Sequence, residues 1–191
     1  MSSTNAPFGM RPAFHPSGLD RASALADGIL STYSTDILKG QPVKMATTGV
    51  IQVAAAGDSF LGCFSGVEFT DTTGRRRVSN YWPASTAYQT GSCIAYFYND
   101  PNIVYEIQAA GSLAQTSIGD EADLSNTTAG STTTGLSACT LSTTLAGAGN
   151  SAQMRIINLA PYPDNAWGDS YTIVRATIAE YQFAGAAGTA I

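Results

Sequence analysis

Acyl-transfer chemistry needs an imidazole or an equivalent base beside a nucleophile. The chain offers one histidine, His15, set between Phe14 and Pro16. That setting reads as packing or hydrogen bonding, because a general base must sit in a formed pocket. Three cysteines, Cys63, Cys93 and Cys139, are widely spaced and include no CxxC. They match neither zinc-ligand spacing nor a disulfide frame and read as reduced thiols. Two loops concentrate side-chain oxygen: Asp120, Glu121 and Asp123, and Asp164, Asn165 and Asp169. Neither fits the twelve-residue calcium loop, so solvated turns are the plainer reading. No GxGxxG and no GxxxxGK[ST] occurs, so there is no nucleotide fingerprint. The expectation is a non-enzyme with no catalytic residue, no metal site and no cofactor.

Charge gathers in one place. Arg75, Arg76 and Arg77 stand in a row, followed by "VSNYWP". Nucleic acid would need more phosphate contacts than three, and a net charge of −5 opposes it. A solvated hairpin tip after Thr73-Gly74 is the plainest alternative. Contact with another protein suits the run better. The planar guanidinium makes several directional hydrogen bonds, and Tyr81 and Trp82 follow within a few residues. Arg, Tyr and Trp are the types most enriched at interface hot spots.

The elements that must carry this loop read as β-structure. Charged residues are only 12% of the 191-residue chain, against roughly 25% in average domains. Forty-one residues are Ser or Thr, and 37 are Leu, Ile, Val or Phe. That is a thin apolar supply, so the composition predicts a folded protein that leans on neighbours, with much of its surface covered at work.

Pro7, Pro12 and Pro16 with Gly9 and Gly18 exclude a helix over residues 1–20. This stretch is expected to be an extended arm whose Phe8, Met10, Arg11 and Phe14 lie on a partner. "GQPVKM" and "GVIQVA" read as strands around a Thr-Gly turn. "SFLGCFSGVEFTD" reads as a strand, with a buried helix as the competing reading. "GSCIAYFYNDPNIVYEIQA" predicts a hairpin turning at Asn99–Asn102. Residues 119–147 should be loop with short strands, and "AQMRIINLAP" and "YTIVRATIAEYQF" two more strands. The reading is mainly β, an antiparallel barrel or sandwich, with a domain over 21–183 and a flexible tail over 184–191. The N-terminal stretch has no apolar h-region and no membrane span is evident.

Several stretches carry a resemblance: "NAPFGMRPAFHPSG", "GQPVK", "TDTTGRRRVSNYWPA", "GSCIAYFYNDPNIVYEIQA", "GSLAQTSIGDEADL", "TAGSTTTGLS" and "AQMRIINLAPYPDNAWGD". Together they span residues 5 to about 170. The chain resembles a family of tailed-bacteriophage head proteins encoded beside the major capsid protein, the capsid decoration or cement proteins. The resemblance implies a small, β-rich, non-enzymatic virion protein made in the host cytoplasm. It would bind the outer capsid surface in many copies. Its partners would be the major capsid protein and neighbouring copies of itself, as dimer or trimer, with no nucleic acid and no membrane. The alternative is an outward-facing receptor- or glycan-binding head-fibre or tail module.

Overall fold

A computed structural model describes residues 2–18, 21–147 and 149–184. Among them are fourteen strands and two short 3-10 turns, Gln115–Ser117 and Gln182–Ala184. The strands are β1 (Arg11–Phe14), β2 (Ser23–Ala26), β3 (Pro42–Met45), β4 (Ile51–Val53), β5 (Gly62–Thr70), β6 (Arg76–Ser79) and β7 (Ile94–Phe97). They continue as β8 (Val104–Gln108), β9 (Glu121–Ser125), β10 (Gly130–Ser131), β11 (Leu136–Ser137), β12 (Thr140–Leu145), β13 (Met154–Leu159) and β14 (Ile173–Ile178).

Two antiparallel sheets form a sandwich-like fold. One runs β1-β8-β14-β13-β9-β12 and the other β2-β7-β5-β3-β4, with β6 added to β5; β10 and β11 form a small hairpin apart. The first sheet curls until Ala109 bridges Leu141 in parallel. Mainly-β composition is thus as expected, and β5 is a strand, not a helix. The strands follow the alternation of their sequences. In β5, Phe64, Val67 and Phe69 are buried while Ser65, Glu68 and Thr70 are half-exposed.

The hairpin expected at Asn99–Asn102 is not one. Both strands exist, but β7 pairs with β2 and β5, whereas β8 pairs with β1 and β14. The turn carries the chain from one sheet to the other, braced by the Asn102 amide on Asp100 Oδ1 at 2.8 Å. Just beneath it Gly62 passes so close to the Tyr98 carbonyl that a Cβ would sit 2.0 Å from the oxygen. All five residues of β8 are buried, so it needs cover on both faces. A two-stranded ribbon would leave Glu106 and Gln108 wet.

That cover comes from the N-terminus, which corrects the arm reading. Residues 2–18 belong to the domain. β1 is hydrogen-bonded to β8, with Arg11 opposite Glu106. Gln108 clamps the preceding segment, its Oε1 accepting the Ala6 amide and its Nε2 donating to the Thr4 carbonyl, both at 3.0 Å. The Met10 amide donates to Gly40 O at 2.8 Å, and its side chain is buried in the core. Ser2 is buried against the loop at Asp164 and Asp169. The prolines that forbid a helix also suit an edge strand, which need not donate on its outer side.

Two apolar clusters fill the interior. One, on the first sheet, includes Met10, Tyr105, Ile107, Leu124, Leu141 and Met154. The other, on the second, includes Ile37, Val43, Phe64, Phe69 and Trp82. The accessible surface is 9090 Å², against about 8,600 Å² for a compact monomer of this mass. The thin apolar supply therefore still closes a core within one chain, with small residues such as Ala54, Ala95, Ala122 and Ala176 filling it. The three cysteines are free and buried. The expected tail, residues 184–191, lies outside the described residues beyond Ala184. Among the described residues no helix is long and apolar enough to cross a membrane.

Candidate functional site

The arginine run sits on a hairpin between β5 and β6, with Phe69 opposite Arg77 and Thr70 opposite Arg76. Asp71 builds the turn. Its Oδ1 accepts the Thr73 amide at 2.9 Å, the Thr73 hydroxyl at 2.6 Å and the Arg75 amide at 3.0 Å. Gly74 follows at φ +84°, a conformation that costs a side-chain residue energy. Asp71 Oδ2 also accepts Arg77 Nε at 2.9 Å. These bonds, the Thr73 hydroxyl first, hold the Asp71 carboxyl well below its usual range. On the opposite face Arg76 Nη2 donates to Glu68 Oε2 at 2.7 Å, and the Tyr96 hydroxyl donates to Glu68 Oε1 at 3.1 Å. The Arg76 bond depresses the Glu68 pKa.

The run thus divides by strand alternation. Arg76 and Arg77 are exposed but tied to carboxylates on opposite faces. Arg75, at the turn, has no side-chain partner among the described residues. Val78 is 79% exposed on the face of Arg76. Among the described residues β6 pairs with β5 alone, which leaves its outer edge open. The aromatic neighbours behave otherwise. Trp82 is fully buried, edge-to-face with Phe69 at 5.3 Å and Tyr88 at 5.9 Å. Tyr81 is half-buried, its amide on Ser79 Oγ at 3.1 Å. Trp82 is therefore withdrawn as a contact residue: it anchors the hairpin's return to Ile37.

Because both carboxylates are held ionised, the tip should respond to acid. Depressed folded pKa values add stability that is complete above the ordinary carboxylate range near 4 and lost as pH falls through the lower folded values. Amide exchange at Arg75 is expected to speed up, relative to core amides, as pH drops below about 4. Asp71→Asn should show fast exchange already at pH 7. An Arg75 amide equally protected in Asp71→Asn would show that the carboxylate does not organise the turn.

The expected arm residues fall on the first sheet. Phe8 and Arg11 touch there, with the guanidinium 4.7 Å from the ring centroid, and Phe14 lies 5.4 Å from the Arg175 guanidinium. Glu106 ties the group together. It accepts Arg11 Nη2 at 2.6 Å, Arg175 at 3.3 Å and the Tyr162 hydroxyl. Met10 is buried and is withdrawn as a contact. Glu106, Tyr162 and Arg175 were not foreseen, though a lone carboxylate in the apolar run "NIVYEIQA" was a usable signal. The two groups are joined across the surface. Asn80, next to β6, donates from Nδ2 to Thr134 O at 3.0 Å, and the Lys39 amide donates to Gly135 O at 2.9 Å. Lys39 and Leu136 then line an apolar cavity of about 240 Å³ together with Phe8 and Arg11.

Burial raises all three thiols, Cys93 to about 11 and Cys139 to about 12, so each stays protonated at neutral pH. His15 does meet Ser17 and Asp100: Nδ1 lies 2.6 Å from Ser17 Oγ, and Nε2 lies 3.1 Å from Asp100 Oδ2. The same Nδ1 accepts the Ser17 amide at 3.0 Å. Both Ser17 contacts lie within the turn that the Gly18 amide closes on His15 O at 2.8 Å. In the first acidic loop Glu121 accepts Arg155 and Asp123 accepts the Gln153 amide. Asn165 is buried, bridging Ala160 and Ile173. Among the described residues no group of three or more His, Cys, Asp or Glu is placed to hold a metal ion.

Comparison of the chain with protein-family models, curated proteins and solved structures finds no match.

Proposed function

We propose that this protein is a capsid decoration protein, a structural virion component that binds the assembled shell in many copies and clamps neighbouring subunits of the major capsid protein. The observation that carries the reading is the β5–β6 hairpin. Its tip is pre-ordered by Asp71, and among the described residues its outer edge is unpaired, Arg75 has no side-chain partner and Val78 stands exposed. A pre-ordered edge loses little entropy on docking, and an open edge can accept an extended segment by strand addition. The sequence resemblance to decoration proteins points to the same role.

Stabilisation would follow from mass action. A ligand that binds the assembled shell and not free subunits shifts the equilibrium toward assembly. A preference for the mature shell requires differential affinity for that state. Each copy must bury at least about 1,000 Å² to bind specifically, and bridging two subunits adds avidity.

The test is binding of the full chain to undecorated capsids. Arg75→Glu and Val78→Asp are each expected to weaken binding about tenfold or more while leaving the melting temperature unchanged. Saturation should follow the number of capsid subunits. A parent protein that fails to bind, or variants that bind as it does, would overturn the reading. Purified protein that retains DNA and loses it on mutation of the run would put nucleic acid in place of the capsid.

A further inference from the structure

Two surface features of this chain complement each other. The first is the cavity of about 240 Å³ between β1 and the second sheet. Its walls are apolar, from Phe8, Met10, Phe64 and Leu136, and its only charged lining residues are Arg11 and Lys39. Arg11 is held by Glu106. The Lys39 ammonium has no partner among the described residues. Leu136, beside it, is 45% exposed. A cavity of about 150 Å³ takes a benzene-sized group, so this one has room for a branched aliphatic side chain.

The second feature lies on the far side of the first sheet. Ile118 is 43% exposed at the end of the 3-10 turn Gln115–Ser117, and Ile157 on β13 is 41% exposed. Asp120 follows Ile118 closely, and its carboxylate has no partner among the described residues. Arg155, opposite the adjoining Glu121, is tied to that residue at 2.5 Å. The loop is held in place: the Gly119 amide donates to Ile156 O at 2.9 Å, and the Ile156 amide to Asp120 O at 2.9 Å. A fixed apolar knob with a free anion thus faces outward.

Within one chain the two features do not meet. In the sheet order β1-β8-β14-β13-β9 four strand spacings separate them, about 19 Å along the sheet. We infer that they meet between copies: Ile118 of one molecule enters the cavity of the next, and its Asp120 pairs with Lys39 there. Such a contact is head-to-tail, so each copy has one knob and one cavity, and the assembly closes into a ring or extends as a chain. Arg11, which lines the cavity, shares the single carboxylate Glu106 with Arg175, and the net positive charge disfavours a basic occupant. The contact belongs to the free protein and does not depend on the capsid reading.

Sedimentation velocity of the full-length protein over a concentration series tests it. The parent is expected to self-associate. Lys39→Glu, Asp120→Lys and Ile118→Asn, all at exposed or half-exposed positions, should each raise the dissociation constant about tenfold or more with unchanged melting. Combining Lys39→Glu with Asp120→Lys should restore association. Mixing those two single variants should also restore assembly, in alternating order, because both contacts between unlike variants pair opposite charges whereas each variant alone meets like charge. A parent that stays monomeric to about 1 mM, single variants that associate like the parent, or a charge swap that restores nothing would each overturn the inference.

Discussion

Deleting residues 1–14 is expected to abolish cooperative folding. The segment supplies β1, the edge strand on β8, and the buried Met10 side chain. Losing a buried methionine to a cavity alone costs about 2–5 kcal/mol. Gln108, fully buried, would lose both Thr4 and Ala6, and an unsatisfied buried amide costs about 1–3 kcal/mol. Glu106 would keep Arg175 and Tyr162 but lose its 2.6 Å bond to Arg11. Together these losses rival the about 5–15 kcal/mol that holds an ordinary domain folded. Circular dichroism melts of the truncated and full chains check it. A truncated protein that melts cooperatively within about 5 °C of the parent would show that residues 2–14 are a detachable arm after all.

Trp82→Ala is expected to destabilise the fold by about 3–5 kcal/mol, a melting-temperature drop on the order of 10 °C. The indole fills the second core between Phe69 and Tyr88, and its backbone bridges Ile37 in both directions at 3.0 and 2.8 Å. Its Nε1–H is buried with no acceptor. Trp82→Phe, which removes that unsatisfied donor and keeps most of the apolar volume, should therefore cost less than half as much. Arg75→Ala should change stability by no more than about 0.5 kcal/mol. Urea unfolding of the three variants ranks them. If Trp82→Ala proves as mild as Arg75→Ala, the tryptophan is not part of the core that supports the hairpin.

The contrast between Trp82 and Arg75 shows where local reading stops. Composition placed arginine, tyrosine and tryptophan in one docking loop. The chain separates them, because β6 ends at Ser79 and the next residues turn inward to bridge Ile37. Nothing local distinguishes an aromatic bound for an interface from one bound for a core. The alternation that splits Arg76 from Arg77 is a property of the strand itself and was legible. Their carboxylate partners, Glu68 and Asp71, lie within ten residues, which is why this half of the site could be approached from sequence.

The other half could not. Arg11, Glu106 and Arg175 sit on three strands far apart in the chain and become neighbours only through the register of β1, β8 and β14. The same holds for Lys39, Leu136 and Phe8 around the cavity.

By itself the sequence determined the β class, the positions of seven of the fourteen strands (β3, β4, β5, β7, β8, β13 and β14), the exclusion of helix over residues 1–20 and a turn at Thr73-Gly74. These follow from period-two patterning, proline spacing and side chains that bond their own backbone, all acting within a few residues. Tertiary structure decided which strands pair. It sent β7 and β8 to different sheets and drew the N-terminal segment into the domain. The reason is that β8 carries two polar side chains on a face that had to be buried. Distant backbone at Thr4 and Ala6, with the guanidinium groups of Arg11 and Arg175 and the Tyr162 hydroxyl, satisfies them.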